Sequence, residues 1–306
     1  MRVIEVRGFG GPEVLQVAQR PDPRPRAGEA LVRIAAANIN PTDLSARSGR
    51  FAREPVEPPF VPGWDFAGEV LAVGARVTEL APGDRVVGML HWYDLKGAAG
   101  AYAERIAAPL EWLVPLPDGL DEVTAATIPL NALTADQGLE LLALESASTI
   151  LVTGASGGVG SFAVQLAARA GHRVIALAGR GDEAWPAALR AVEVLPRDAD
   201  LSKIEAVDAL FDAVPIGERA AGAVRDGGRI VTVRGSDTFE PGRGISKQAF
   251  LIHPDRRRLR ELVEDIAARR LRTRVSHTLP LEQASGGHHL VEQGGLRGKV
   301  LLLPWL

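Results

Sequence analysis

From residue 1 to about 116 the hydrophobic positions come in short alternating or β-rich runs broken by Gly and Pro. Met1–Arg7, Ala30–Ala36, Phe66–Val73, Arg85–Gly88 and Tyr102–Ala107 read as strands. Pro21, Pro23, Pro25 and Gly28 mark an early connection, and Pro55, Pro58, Pro59 and Pro62 stiffen a later one. This punctuation predicts an irregular β domain. From about 117 to 253 strands alternate with helical patterns, the strands being Thr149–Thr153, Val174–Ala178, Ala209–Ala213 and Arg229–Val233. That alternation predicts a parallel α/β sheet. Phe250-Leu251-Ile252 is short, apolar and β-compatible, and predicts an edge strand. Arg256–Arg270 then reads as a charged amphipathic helix with Leu259, Leu262, Val263 and Ile266 on one face. A short helix near Leu281–Glu292 and an apolar strand, Lys299–Leu303, follow.

One junction carries chemistry. Ile150-Leu151-Val152-Thr153 runs into Gly154-Ala155-Ser156-Gly157-Gly158-Val159-Gly160, and an apolar helical pattern extends from Ser161 to Ala170. Gly154, Gly157 and Gly160 recur every third residue. Glycine permits a turn of unusual φ and close approach of a pyrophosphate to the backbone. The helix start offers unpaired N–H groups and a positive dipole end. The junction reads as a dinucleotide-binding turn or as an ordinary tight strand-to-helix connection. Within it, Gly157 is the position expected to need positive φ and to crowd a pyrophosphate if substituted.

Composition narrows the classes. The 306 residues, 46% hydrophobic, suffice for about two domains. A net charge of −3 gives no reason to expect nucleic acid or an anionic membrane as partner. No apolar run approaches the ~18 residues of a membrane span. Cysteine is absent, which removes disulfides and thiolate metal ligands. Met1–Arg7 lacks the apolar core of a signal peptide, and the two absences together predict a cytoplasmic protein.

Asn38-Ile39-Asn40-Pro41-Thr42-Asp43, Pro62-Gly63-Trp64-Asp65-Phe66-Ala67-Gly68, Pro82-Gly83-Asp84-Arg85-Val86, Gly100-Ala101-Tyr102-Ala103-Glu104, Thr153–Gly160, Gly227-Gly228-Arg229 and Gly298-Lys299-Val300 occur in this order. In that order and spacing the chain resembles the zinc-free branch of the medium-chain dehydrogenase/reductase superfamily, particularly its quinone oxidoreductase-like proteins. The resemblance implies an α/β protein, a Rossmann dinucleotide-binding domain with a GroES-like β-rich substrate domain. It implies domains at 1–116 (GroES-like), 117–253 (Rossmann) and 254–306, the last returning to the substrate domain.

Zinc-dependent relatives use Cys and His where this chain has Asn40 and Trp64. An indole has no lone pair to give a metal. Asp65 stands at the position of a family acidic residue, and one carboxylate is no zinc site. His288-His289 is read as surface or interdomain contact, because adjacent helical residues point about 100° apart. No metal is expected. Without a Lewis acid, hydride transfer to a conjugated acceptor is easier than alcohol oxidation, since the charge delocalises.

Coenzyme choice is read at Gly179-Arg180, where the strand ends without an acidic residue. NAD sites present a carboxylate there to the ribose, whereas Arg180 can pair a 2′-phosphate. NADPH is therefore expected, although Asp182 opposes it; the alternative for Arg180 is a solvated loop arginine. Arg197 is a second, weaker phosphate contact. Asn131 and Thr134 match a family helix start near the nicotinamide, or cap that helix.

The resemblance places Asn40 and Asp43 beside the nicotinamide. Asn40 can donate to a substrate carbonyl or cap a helix that has Pro41 at its first position. Asp43 reads as structural, because an ordinary Asp is ionised near neutral pH. Arg47 organises the substrate site by ion pairing or lies on a solvated helix face. Trp64 is an aromatic wall for a planar acceptor or a core tryptophan. Several relatives carry a Tyr where this chain has Phe51; Tyr93 is the replacement proton donor, His91 a further one or a surface histidine. Tyr102 reads as scaffold.

The expected activity is NADPH-dependent, metal-free reduction of quinones or related activated carbonyl compounds. The alternatives are an enoyl or 2-alkenal reductase, and a non-catalytic NADPH-binding structural or regulatory protein. The substrate is a small molecule. The resemblance, with the edge strand at Phe250–Ile252, implies a homodimer.

Overall fold

The Gly- and Pro-broken runs of the first 115 residues form strands, and the alternating texture that follows forms strands and helices. A computed structural model of the chain describes residues 1–50, 56–145, 147–233 and 239–306. In chain order the elements begin with β1 (Arg2–Val6), β2 (Leu15–Gln19), β3 (Glu29–Asn38), α1 (Pro41–Arg47), β4 (Asp65–Val73), β5 (Arg85–Met89), β6 (Arg105–Pro109) and β7 (Leu113–Pro115). Then come α2 (Glu122–Ala125), α3 (Pro129–Leu142), β8 (Thr149–Thr153), α4 (Gly158–Arg169), β9 (Arg173–Ala178), α5 (Ala184–Ala188), β10 (Glu193–Pro196) and β11 (Val207–Asp212). The rest are α6 (Arg219–Ala223), β12 (Val224–Thr232), β13 (Ser246–Ala249), α7 (Arg256–Ala267), β14 (Val275–Pro280), α8 (Ala284–Gln293) and β15 (Lys299–Leu303).

The chain divides into two compact units, Met1–Leu130 with His253–Leu306, and Asn131–Ile252. Texture placed the change near residue 117. Residues 117–130 pack in the first unit: Leu130 donates its N–H to Asp65 Oδ1 at 2.9 Å, and Thr127 Oγ1 lies 2.9 Å from Thr273 Oγ1.

The first unit is built on a seven-stranded sheet in the order β14-β15-β3-β4-β5-β7, with β6 also on β3, and a separate β1-β2 pair. In β3 the side chains alternate between buried and half-buried over most of its length, as expected of a strand with one face on a core. The apolar run 299–303 joins this sheet antiparallel to β3, pairing Leu301 with Asn38 and Leu302 with Ala37. α7 buries Leu259, Leu262, Val263 and Ile266, the face its periodicity predicts.

The second unit is a six-stranded parallel sheet in the order β10-β9-β8-β11-β12-β13. Numbered from β8, that is the strand order of dinucleotide-binding folds. Leu151, Ile175, Leu210 and Ile230 lie buried in one of its core clusters. The order reverses at β8 and β11, a topological switch point where such sheets take ligands.

Two predicted strands are corrected. Phe250–Ile252 is not a strand; the strand at this edge of the sheet is Ser246–Ala249. Its ladder with β12 ends where Ala249 pairs with Thr232. Phe250 instead brings its ring against α3, where a Cβ on Gly138 would lie 3.0 Å from it. Within Tyr102–Ala107 the strand begins only at Arg105. Tyr102 N–H bonds to Pro62 O and Tyr102 O accepts from Ile4 N–H, so this backbone ties a loop together before the ladder starts.

Candidate functional site

In the second unit the glycine turn closes as its spacing predicts, with one reassignment. Gly154 has φ +57, and Gly157 N–H returns to Gly154 O at 2.9 Å. A Cβ on Gly160 would lie 2.2 Å from Gly154 O, so α4 can rest on this turn only through a glycine. Gly157, expected to need positive φ, has φ −80. Its Cβ position meets only Gly154 O, at 3.2 Å. Among the bonds closing the turn, the first helical one runs from Ser161 N–H to Gly157 O. The amides of Gly158, Val159 and Gly160 therefore precede the ladder, beside Ala155 and Ser156 of the turn. A tight turn ending in unladdered amides at a sheet switch point fits a dinucleotide pyrophosphate.

Two polar residues to which the sequence reading gave no role of their own brace this turn. Thr153 Oγ1 donates to Asp212 Oδ1 at 2.6 Å and accepts Val214 N–H at 3.0 Å. Both residues are buried at the ends of adjacent parallel strands. A polar residue closing each apolar run was the available signal.

Gly179 and Arg180 follow β9 directly. Arg180 is largely exposed, and its guanidinium lies 3.7 Å from Asp198. Arg197 sits just past the neighbouring strand, its N–H bonded to Ala178 O. Asn131 and Thr134 are buried in the first turns of α3, which starts at Pro129. They lie inside that helix rather than at its cap.

In the first unit a buried polar centre gathers around Asn40. The residue precedes α1, and its N–H donates to Asp43 Oδ2 at 2.8 Å, an arrangement typical of a helix start. Its side-chain amide turns inward: Nδ2 donates to Asp65 Oδ2 at 2.8 Å. Oδ1 accepts from Lys299 Nζ at 3.0 Å and from Asn38 Nδ2 at 3.2 Å. Asp65 also accepts from Asn38 Nδ2 at 3.1 Å. Burial raises the Asp65 carboxyl to about 6, against the opposing donors Asn40, Asn38 and Leu130 and the Lys299 charge. Burial lowers Lys299 to about 8, and Asp65 and Asp43 pull it back up.

Asp43 is buried beneath this centre. Besides Asn40 N–H it accepts Gly63 N–H at 3.0 Å and Tyr102 OH at 3.3 Å. Burial raises its carboxyl to about 7, so the assumption of an ordinary ionised Asp does not hold. Tyr102 OH lies 3.0 Å from His288 Nε2. Burial and Asp43 push the phenol well above its usual value. Burial, then the nearby Arg47 charge, hold His288 neutral, at about 3. His288 is thus an interior residue rather than a surface one, while its neighbour His289 is exposed. Arg47 is buried as well and pairs with Glu292 of α8, so the solvated-face alternative is not realised.

Trp64 is buried, with its ring 5.0 Å edge-on from Tyr93 and 6.1 Å from Trp92. Tyr93 is half-buried. His91 Nδ1 lies 2.5 Å from Asp94 Oδ2, which takes up one of its ring nitrogens. Phe51 lies outside the described residues. The first unit thus joins Lys299, Asn40, Asp43, Tyr102 and His288 in one buried hydrogen-bonded network, with Arg47 buried nearby and paired to Glu292, and sets Trp64 and Tyr93 in an adjoining aromatic cluster. Lys299 and Tyr102 were visible only as parts of short motifs.

This donor set does not suit a catalytic metal. Asn40 is engaged at both ends, Asp65 accepts three hydrogen bonds, Trp64 offers no lone pair, and the Lys299 ammonium would repel a cation. Among the described residues no three His, Asp or Glu side chains converge as a metal site. No described helix is long and apolar enough to cross a membrane.

Residues 26–118 match the alcohol dehydrogenase GroES-like domain family. Residues 189–302 match the zinc-binding dehydrogenase family, and residues 150–222 the NAD dependent epimerase/dehydratase family. A quinone oxidoreductase of Lama guanicoe is 30% identical over 99% of this chain and 97% of its own. A chloroplastic NADPH-dependent alkenal/one oxidoreductase of Arabidopsis thaliana is 32% identical over 75% of this chain and 61% of its own. The structure of a quinone oxidoreductase from Coxiella burnetii superposes with a TM-score of 0.91 at 28% identity, over 99% of both chains.

Proposed function

We propose, from the premise that the chain belongs to the medium-chain dehydrogenase/reductase superfamily as a quinone oxidoreductase-like enzyme, that it is an NADPH-dependent, metal-free reductase of quinones or related activated carbonyl compounds. The observation that carries this reading is the Asn40 amide, held between Asp65 and Lys299 where a metal-dependent relative would have a ligand. When bound, NADPH supplies the hydride. The amides of Gly158, Val159 and Gly160 and the turn Gly154–Gly157 would hold its pyrophosphate, and Gly179-Arg180 its 2′-phosphate.

The acceptor's oxygen gains negative charge as hydride arrives, and a fixed donor stabilises that charge best. Asn40 Nδ2 has two N–H bonds. Among the described residues Nδ2 donates only to Asp65 Oδ2, and its second N–H is here assigned to the acceptor oxygen, although Asn40 is buried in the absence of an acceptor. Trp64 is the core tryptophan of the two readings, and the half-buried Tyr93 that packs edge-on against it is the aromatic side for a planar acceptor. A quinone needs a further proton on oxygen, which water can supply. An enone needs it on carbon, and there the Tyr93 phenol is the candidate donor. The named activities of the Lama guanicoe and Arabidopsis thaliana relatives support both acceptor classes.

The test is NADPH oxidation against a panel of quinones and 2-alkenals after exhaustive chelation. Turnover that survives chelation is expected. Loss of turnover with restoration by zinc rejects the metal-free reading, and inactivity on every electron-poor acceptor rejects the reaction.

We also propose a homodimer, with the interface moved from Phe250–Ile252 to β13, which among the described residues pairs with only one strand and is one of the sheet's two outer strands. Light scattering on wild type and Gln248→Pro tests it. A wild-type monomer at micromolar concentration rejects the dimer, and an unchanged dimer in the folded variant rejects this edge.

A further inference from the structure

Lys299 opens β15, and its Nζ donates to Asn40 Oδ1 at 3.0 Å across 259 residues of sequence. The ionisable side chains that act on this ammonium are Asp65 on β4 and Asp43 in α1. α8, packed on β15, carries His288, which is neutral, and Glu292, which is paired with Arg47. Asp65 spends its oxygens on Asn38, Asn40 and Leu130. Asp43 spends its own on Asn40 N–H, Gly63 N–H and Tyr102. The direct bond of the ammonium is therefore to the neutral Asn40 carbonyl, although two carboxylates lie near. That choice has two physical effects. It fixes which end of the amide faces Asp65, since a flipped amide would set NH2 against NH3⁺ and oxygen against carboxylate. It also draws electron density from the amide, which makes the remaining Nδ2–H a stronger donor.

We infer that Lys299 is a positioning residue for the reduction, its ammonium orienting and polarising the Asn40 amide that receives the charge developing on the acceptor oxygen. The inference rests on the assignment of Asn40 to the acceptor in the reading above. The active form is the protonated one. Because burial brings the ammonium down to about 8, turnover falls as pH rises through that value. Deprotonation turns the Nζ from a cationic into a weak neutral donor, and the amide loses its polarisation.

The experiment compares wild type with Lys299→Arg and Lys299→Met in NADPH-driven reduction of a quinone and of a 2-alkenal across pH 6–10. In the Met variant kcat is expected to fall about 10- to 100-fold, as for loss of support to one oxyanion donor, with NADPH affinity by fluorescence titration unchanged. The Arg variant is expected to restore most of kcat and to lose the alkaline fall, because guanidinium stays charged throughout. A folded Met variant with wild-type kcat, or an Arg variant with the alkaline fall in place, overturns the inference. A second readout does not depend on turnover. The Lys299 side-chain NMR resonance, assigned by its loss in Lys299→Arg, is expected to titrate near pH 8 and to shift in Asn40→Leu. Titration at an ordinary lysine value, indifferent to Asn40, overturns the coupling even where no acceptor is found. Failure of every acceptor with the coupled titration intact counts against the reductase reading alone.

Discussion

The phenol oxygen of Tyr102 and the Nε2 of His288 lie 3.0 Å apart, joining a loop early in the chain to a helix 186 residues later. With the phenol proton given to Asp43, Nε2–H is the donor to Tyr102. Tyr102→Phe would leave both buried partners short of a bond, at a cost of about 1–3 kcal/mol. Chemical denaturation should report that loss for the single variant. Tyr102→Phe combined with His288→Leu should cost less than the sum of the two singles, because each already breaks the same contact. Strict additivity would show that the two side chains are uncoupled.

Coenzyme preference should follow Arg180. Its guanidinium is held only loosely, 3.7 Å from Asp198, and can turn to a phosphate at small cost. NADPH is expected to bind more tightly than NADH. Arg180→Ala should weaken NADPH about 10-fold or more, the worth of a charged hydrogen bond, and leave NADH unchanged. Equal wild-type affinities in a fluorescence titration would remove Arg180 from the site.

Two of the turn glycines should separate folding from binding. Gly160→Ala places a methyl 2.2 Å from a backbone oxygen, so the turn itself must move, and stability and binding should fall together. Gly157→Ala meets only a 3.2 Å contact at φ −80, so the thermal midpoint should stay close to wild type. On the proposed binding of the pyrophosphate at this turn the added methyl would crowd it, and NADPH affinity should drop by about an order of magnitude. Normal affinity in Gly157→Ala would place the coenzyme elsewhere.

The buried carboxyls predict an unusual pH dependence. Asp43 holds its proton up to about 7 and Asp65 up to about 6 in the fold, both above their unfolded value. Between the unfolded and folded values the native state binds more protons, so stability falls with rising pH. Their contribution is full below about pH 4 and is lost as pH rises through 6 and 7. Thermal midpoints from pH 4 to 8 should therefore decline more steeply in wild type than in Asp43→Asn. Equal slopes would show that Asp43 does not titrate in this window.

The sequence made the second unit legible because its signals are local. Thr149–Thr153 and the glycines that follow lie within a dozen residues, and the parallel sheet follows from the alternation around them. The first unit was legible as a β domain, yet its polar centre was not. Asn40 bonds across 259 residues to Lys299, and no periodicity links positions so far apart. His288 and His289 show the same limit. Their 100° separation on a helix requires different faces, but only packing decides that His288 goes inward. Phe250–Ile252 failed for a third reason: its composition suits a strand, and the register of β12 ends one residue earlier.

The place of β15 orders the making of the protein. Residues 131–252 are continuous in the chain, whereas the first unit takes its last strand from 299–303. During synthesis the parallel sheet can close on its own while β3 waits, with the edge beside Ala37 and Asn38 uncovered. Lys299 arrives on that strand, so the ammonium reaches Asn40 only after residues 131–252 have been made. A nascent chain interrupted before this point would hold a finished parallel sheet and, in its other unit, a sheet with an open, aggregation-prone edge.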